Sequence, residues 1–353
     1  MESANEKMGN SLSSELSNTH STLITYDSCA HHTDSGWEFP VSGHLLGKKI
    51  SRMRERFLNR LLLRFAQVDL TDQDSPEFAL VQRRIQPFIR KAKKKVSVGV
   101  RLGGSYHKIA SPTRRGGRFK TTVNLSSKAV SAFLEYDTHS QPYLPIRGVA
   151  DLEHTVTIPS RCYLVDPVGI SVVTDIDDTI KDSQVLDRRQ LLRNSFAKPY
   201  EPVKGMKEVF EAWQQKAVKF HYVSASPWQI YNELHPFLDH TGFPGGSFHL
   251  RQFTLKGQVI RKLIRRRYQK KRTQIESLLQ RFPRRQFVLI GDSGEHDPDI
   301  YGSLARQYGE QVRKIWIRSL AGNPLDLTRS LEAFRDVPKT TWRIFHEAAE
   351  LSL

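Results

Sequence analysis

Three carboxylates and a hydroxyl, Asp175, Asp177, Asp178 and Thr179, fall within five residues directly after the apolar run Gly169–Thr174. Unpaired carboxylates repel one another and resist desolvation, so the cluster calls for a cation among them. If the apolar run is a strand of a parallel sheet, its carboxyl end opens into the crevice where α/β proteins bind ligands. Asp175 then projects into that crevice with Asp177 just beyond it. Two carboxylates so placed suit Mg²⁺, which takes oxygen ligands and keeps several waters together with a substrate phosphate oxygen. A structural Ca²⁺ loop or a helix-capping cluster is the lesser, alternative account of the same five residues taken alone.

Three later features bear on the choice. Lys219-Phe-His-Tyr-Val-Ser224-Ala-Ser226-Pro227 is a second strand-like run ending in hydroxyls. Gln286-Phe-Val-Leu-Ile-Gly-Asp292 is a third, with a further acid at Asp297. Between them, Lys270 and Lys271 stand where an amphipathic pattern running to Phe282 sets in. Singly these read as a strand-terminal turn, an N-cap and a solvated charge run. Their order along one chain is what makes them a constellation.

That order resembles the four motifs of the haloacid dehalogenase phosphohydrolase superfamily. The phrases Ser171-Val-Val-Thr-Asp-Ile-Asp-Asp-Thr-Ile-Lys181, Tyr222-Val-Ser-Ala-Ser-Pro-Trp228 and Leu289-Ile-Gly-Asp-Ser-Gly-Glu-His-Asp-Pro-Asp-Ile-Tyr301 are similar, more closely, to the phosphatidate phosphatase catalytic-domain family of actin-patch-associated phosphatases. The resemblance covers roughly Gln82 to the C-terminus. It implies that Asp175 is a nucleophile forming an aspartyl-phosphate, and that Asp177 is the acid and then the base of the two half-reactions. It implies Mg²⁺ held by Asp175, the backbone carbonyl of Asp177, and Asp292. Thr179, Ser224 and Lys271 would bind phosphate, with Ser226 and Asp297 in support. Lys271, four residues before Ile275 in the apolar register, matches the family's lysine better than its neighbour Lys270. The implied reaction is phosphatidate to diacylglycerol. Phosphatase action on another ester, or a catalytically silent module binding lipid or nucleic acid, are the alternatives.

These residues need elements to position them. From Pro167 onward strand-like and helix-like segments alternate: Gly169–Asp175, a helix near Val203–Ala217, Lys219–Ser224, helices near Trp228–His240 and Lys262–Phe282, Gln286–Asp292, a helix near Asp297–Tyr308, and Arg313–Ile317. Such βα alternation predicts a doubly wound parallel sheet, haloacid dehalogenase-like by the resemblance, over residues 167–340. Lys181–Lys198 is the natural place for a flap, and residues 341–353 read as a C-terminal helix. Before it, over residues 81–166, short runs such as Val96–Leu102, Arg118–Leu125, Val130–Tyr136 and Arg161–Val165 predict a small β-sandwich. Residues 1–44, rich in Ser, Thr, Asn and His, read as a disordered leader without a signal-peptide pattern.

Residues 45–80 carry a basic helical segment, with Ile50, Met53, Phe57, Leu61, Phe65 and Val68 at three- and four-residue steps across Lys48–Val68. Its apolar stripe fits packing on the following domain, or an interfacial helix in a headgroup layer. The 353-residue chain suits two domains, its 38% hydrophobic content supports a core, and no stretch reaches the ~20 apolar residues of a membrane span. With only Cys29 and Cys162, neither a disulfide framework nor a cysteine zinc site is expected, and a reducing, cytoplasmic setting follows. Of 54 Lys and Arg, half lie in Lys48–Arg64, Arg83–Lys95 and Arg251–Arg285, and the net charge is +17. Such patches attract an anionic membrane or nucleic acid. Few aromatics interleave with them, which argues against single-stranded nucleic acid and for a protein peripheral on membranes.

Overall fold

The computed structural model describes residues 20–68, 70–253, 267–320 and 326–353. The chain divides after Val165 into two compact units, the first also taking in Phe196–Lys198 and Gln229–Pro236.

The first unit is β-rich. Its strands are β1 (Ser21–Thr25), β2 (Ser28–Thr33), β3 (Gly36–Ile50), β4 (Arg90–Ala92), β5 (Val98–Leu102), β6 (Ser105–Lys108), β7 (Arg118–Leu125), β8 (Glu135–Tyr136), β9 (Pro142–Ala150), β10 (Thr155–Ile158) and β11 (Ser160–Val165). They join into one hydrogen-bonded sheet of order β10-β1-β3-β2-β11-β9-β5-β6, with β4 and β7 on β3 and β8 on β9. The long β3 organises it, pairing antiparallel with β1, β2, β4 and β7 along its fifteen residues. Alternate residues Phe39 and Val41 enter a core shared with Leu23, Leu45, Val100, Phe119 and Ile146, as the period of two in a strand requires.

Residues 20–44 are therefore not a leader, and the sequence expectation is corrected there; residues 1–19 lie outside the described residues. Composition misled because this part of the core is partly polar. Thr22, Thr25, Asp27 and His44 are all buried, and each has a partner. The Thr25 hydroxyl donates to the Ile158 carbonyl at 3.1 Å, Tyr26 Oη meets His44 Nδ1 at 2.7 Å, and Asp27 accepts the Arg161 amide at 2.7 Å. Hydrogen-bonded polar groups can be buried where unpaired ones cannot.

Helix α1 (Arg52–Leu61), extended by a π-helical turn Leu62–Ala66, is shorter than the expected Lys48–Val68, because Lys48–Ile50 still belong to β3 and Ile50 pairs with Arg90. Helix α2 (Pro76–Ile89) follows, its first turn capped by Ser75 Oγ, which accepts the Phe78 amide at 3.1 Å. The expected strand Val130–Tyr136 is instead a one-and-a-half-turn helix α3 (Ser127–Ala132) leading into β8. Ser126 explains the difference, since its hydroxyl caps the helix at the Ala129 amide.

The second unit is α/β. Strands β12 (Gly169–Thr174), β13 (Lys219–Pro227), β14 (Gly246–Arg251), β15 (Arg285–Asp292), β16 (Val312–Arg318) and β17 (Trp342–Phe345) form a six-stranded sheet ordered β14-β13-β12-β15-β16-β17. Every neighbouring pair is parallel. Between the strands run α4 (Arg188–Phe196), α5 (Met206–Gln214), α6 (Tyr231–Thr241), α7 (Arg267–Arg281), α8 (Asp297–Tyr308) and α9 (Asp326–Ala333). The start of the helix expected at Lys262 lies outside the described residues. The expected C-terminal helix is a correction: Trp342–Phe345 is the edge strand β17, beside Ile315–Arg318, and only a single 3₁₀ turn, Ala348–Glu350, follows. Trp342 and Phe345 are buried, a spacing too short to have signalled a strand.

Strand β12 is central: Arg285 at the start of β15 pairs with Gly169, and Lys219 at the start of β13 pairs with Ser171. Buried Arg285 fixes the lower end of β12, donating to Ser171 Oγ at 2.8 Å and to the carbonyls of Asp166 and Val168 at 2.8 and 2.6 Å. One cation of the most basic window is thus structural. The register brings the carboxyl ends of the three strands together, at Asp175, Ser224 and Asp292.

Candidate active site

Asp175 leaves β12 with its amide donating to the Ile290 carbonyl of β15 at 2.8 Å, which fixes it at the strand end. Its carboxylate is buried, and Lys271 Nζ lies 2.5 Å from Oδ1. The same ammonium is 2.5 Å from Asp297 Oδ1. Lys271 is buried while Lys270, one residue earlier on α7, is exposed. A helix turns about 100° per residue, so only one of two adjacent lysines can face the sheet.

Asp292 ends β15. Its Oδ1 accepts the amides of Gly294 and Glu295 at 2.6 and 3.0 Å, while Oδ2 is buried without a hydrogen-bond partner among the described residues, as is Oδ2 of Asp175. Asp297 opens α8, and Tyr301 Oη, which donates to the Ile290 carbonyl at 3.0 Å, reaches its Oδ2 at 3.4 Å. One carboxylate oxygen from each of Asp175, Asp292 and Asp297 lies within 4.8 Å of the others. Gly291 makes this approach possible: a Cβ there would stand 2.0 Å from Asp297 Oδ2.

The electrostatics follow from three buried acids facing one lysine. Burial pushes the Asp175 carboxyl well above its ordinary range; Lys271 opposes this and Asp297 and Asp292 add to it. Asp292 is likewise raised by burial and by Asp297 and Glu295. Burial pushes the Lys271 ammonium down, but Asp175 and Asp297 outweigh it and hold the amine well above the usual lysine value. Two unpartnered carboxylate oxygens in a converging, cation-poor cage fit a hard divalent cation with oxygen ligands.

Asp177 belongs to a different group. Its Oδ1 is 2.9 Å from Lys181 Nζ and accepts the Ser183 hydroxyl at 2.7 Å. Its Oδ2 accepts Ser226 Oγ at 2.6 Å and Ser224 Oγ at 3.4 Å. Burial raises this carboxyl, yet Lys181 and the hydroxyls outweigh burial and hold it well below the usual carboxylate range. Lys181 also donates to Ser183 Oγ and stands over the Tyr200 ring at 4.8 Å. The Thr179 hydroxyl is buried without a hydrogen-bond partner among the described residues. Asp178 turns away from the crevice: at φ 54° it accepts the amides of Ser183, Gln184 and Val185 and so shapes the loop that follows.

The residues singled out in sequence thus gather in two adjoining clusters. Asp175, Lys271, Asp292 and Asp297 form one, and Asp177, Ser224 and Ser226 the other. Sequence reasoning passed over Lys181 and Ser183, although Lys181 stands four residues after Asp177 inside the first motif phrase. Gly291 and Tyr301 were within the third phrase, but what they position is visible only in three dimensions. Arg329, which donates to the carbonyls of Ser293 and Glu295 and to Asp299 Oδ2 at 3.1, 2.5 and 2.9 Å, braces the loop after β15. Nothing in its local sequence signals this.

Comparison with known proteins locates the same region. Residues 170–319 match the family model described as phosphatidate phosphatase APP1, catalytic domain. The chain is 30% identical over 268 residues to "Phosphatidate phosphatase APP1" of Saccharomyces cerevisiae, an alignment covering 75% of this chain and 44% of that protein. It is also 30% identical over 165 residues to an uncharacterized protein of Schizosaccharomyces pombe, covering 46% of this chain and 27% of the relative. The chain therefore spans less than half the length of these curated relatives.

Proposed function

Since residues 170–319 match the model of the phosphatidate phosphatase APP1 catalytic-domain family, we propose that this chain is a phosphatase of phosphate monoesters, with phosphatidate as substrate and Asp175 as nucleophile. The observation that carries the reading is the convergence of Asp175, Asp292 and Asp297 around Lys271, with two buried carboxylate oxygens left unpartnered among the described residues.

Asp175 Oδ attacks phosphorus, the bond from phosphorus to the glycerol oxygen breaks, and the phosphoryl group is carried on Asp175. Water then attacks phosphorus, the aspartyl–phosphate bond breaks, and inorganic phosphate leaves. Lys271 holds a non-bridging oxygen, and Thr179 and Ser224 offer hydroxyls to others, so negative charge is met by donors already in place. Mg²⁺ would be held by Asp175 and Asp292 with Asp297 close by, and when bound it neutralises phosphate charge as a Lewis acid.

Asp177 is the proton carrier. Lys181 and the three hydroxyls keep its carboxylate charged in the free site, which is the state needed to take a proton from the hydrolytic water. To serve as acid in the first step it must first be protonated. An incoming phosphate draws Ser224 and the ammonium of Lys181 toward itself, removing the interactions that hold the proton off.

Phosphate release is the test, measured with magnesium on phosphatidate in vesicles beside a soluble aryl phosphate and a nucleotide. Activity greatest on phosphatidate and lost on chelation is expected. Release from nucleotide alone would replace the substrate, and a chain silent on all three would leave a binding module.

A further inference from the structure

The outward side of α1 carries two rows of side chains that the catalytic reading does not use. Arg52, Arg56, Arg60 and Arg64 recur every four residues and all are exposed. Beside them Met53, Phe57, Leu63 and Phe65 expose 74, 38, 51 and 53% of their surface. Residues four apart on a helix are neighbours, so the arginines form one ridge and the apolar residues flank it. The opposite side is the packed one: Leu58, Leu62 and Ala66 are buried, and Arg54 donates to the carbonyls of Phe88 and Arg90 at 3.5 and 3.4 Å. The helix is already anchored without its outer face.

That outer face is unfavourable in water on two counts. Like charges four apart destabilise a helix, and several large apolar side chains stand exposed together. Arg52 is relieved by Glu55 at 3.1 Å, and Arg64 lies over the Phe65 ring at 5.6 Å. Among the described residues Arg56 and Arg60 have no ion pair. Lys48 and Lys49, just before the helix, are exposed as well.

We propose that this face of α1 docks on an anionic lipid bilayer, with Met53, Phe57, Leu63 and Phe65 entering the headgroup layer and the arginines meeting lipid phosphates. A basic polar ridge beside bulky apolar residues is the composition of an interfacial helix. A second copy of the same face would bring like charges together, and a nucleic-acid backbone would satisfy the arginines but leave Met53 and Leu63 in water. The proposal deepens the lipid-phosphatase reading and rests on it for its purpose, so its test uses vesicles without phosphatidate.

The full chain is sedimented with phosphatidylcholine vesicles, with and without about a quarter phosphatidylserine, in low and high salt. Two variants are compared: Arg56→Gln with Arg60→Gln and Arg64→Gln, and Met53→Ser with Leu63→Ser and Phe65→Ser. The wild-type chain is expected on anionic vesicles only, with binding fading in high salt. The arginine variant should bind about a hundredfold more weakly, at roughly fivefold per charge, and the apolar variant at least about tenfold more weakly. Both should keep the wild-type thermal midpoint and turnover of a soluble aryl phosphate, since every substituted side chain is exposed. Equal binding to neutral vesicles, or wild-type binding by either variant, would overturn the proposal. So would a wild-type chain that ignores vesicles and forms a dimer broken by the apolar substitutions, or one that binds an oligonucleotide instead. A chain that docks as described but turns over no phosphate ester upholds docking and removes only the catalytic reading.

Discussion

At the scale of single residues, the division of labour between neighbours is what the geometry adds. Lys271 and Lys270 are adjacent in sequence, yet one touches two buried carboxylates and the other faces solvent. Lys271→Ala should therefore lower kcat by about a hundredfold or more, and Lys270→Ala should leave it within about threefold; steady-state rates on one soluble ester decide this, and the reverse order would put the wrong lysine in the site. Gly291 gives a second test. With a Cβ only 2.0 Å from Asp297 Oδ2, Gly291→Ala must displace the acid, at ~1–3 kcal/mol of strain. The magnesium concentration for half-maximal rate should rise about tenfold while the protein stays folded. An unchanged titration would show that Asp297 has no part in holding the cation. The motif residues were legible in sequence because their types and order are restrictive. Lys181 was not, because a lysine after an acidic turn reads as surface charge until the fold buries it against Asp177.

At the scale of elements, the parallel strands carrying the motifs were legible because each is a near-continuous apolar run, as strands buried on both faces are. The first three strands were not. Their polar members are buried through partners distant in sequence, such as Thr25 with Ile158 and Asp27 with Arg161, so no local pattern marks them. Deleting residues 20–44 would remove β1, β2 and much of β3, the strand that pairs with four others. Such a deletion should abolish cooperative unfolding of the first unit. A deleted chain that keeps the full-length near-ultraviolet circular dichroism and thermal transition would restore the leader interpretation. The edge strand β17 and helix α3 were missed for the opposite reason: each is so short that a single capping serine or a pair of aromatics decides it.

At the scale of the whole molecule, charge and burial set the response to pH. In the second unit His249 Nε2 meets Ser247 Oγ at 2.8 Å, and Ser247 Oγ meets His221 Nδ1 at 2.7 Å. Burial lowers His249 from 6.5 to about 3, with Arg281 adding to it, and burial with His249, Arg285, Arg281 and Lys219 lowers His221 well below its ordinary value. A histidine lowered on folding favours the native state while neutral, so its contribution is complete above the unfolded value of 6.5 and is lost as pH falls toward the folded value. Between pH 6.5 and 4 the unfolding free energy should fall by up to ~1.4 kcal/mol per pH unit for each such histidine, read as a falling denaturant midpoint. His249→Gln should flatten that slope, and a slope unaltered by the substitution would assign the acid sensitivity elsewhere. The measurement that bears most directly on the central claim concerns Asp175 itself. The wild-type chain and Asp175→Asn are mixed with magnesium and phosphatidate vesicles, quenched in acid within a turnover, digested, and examined by mass spectrometry. A phosphoryl group on the peptide containing Asp175, absent from the variant and longer-lived in Asp177→Asn, is the predicted result; turnover with no phosphorylated peptide, or undiminished turnover by Asp175→Asn, would contradict it.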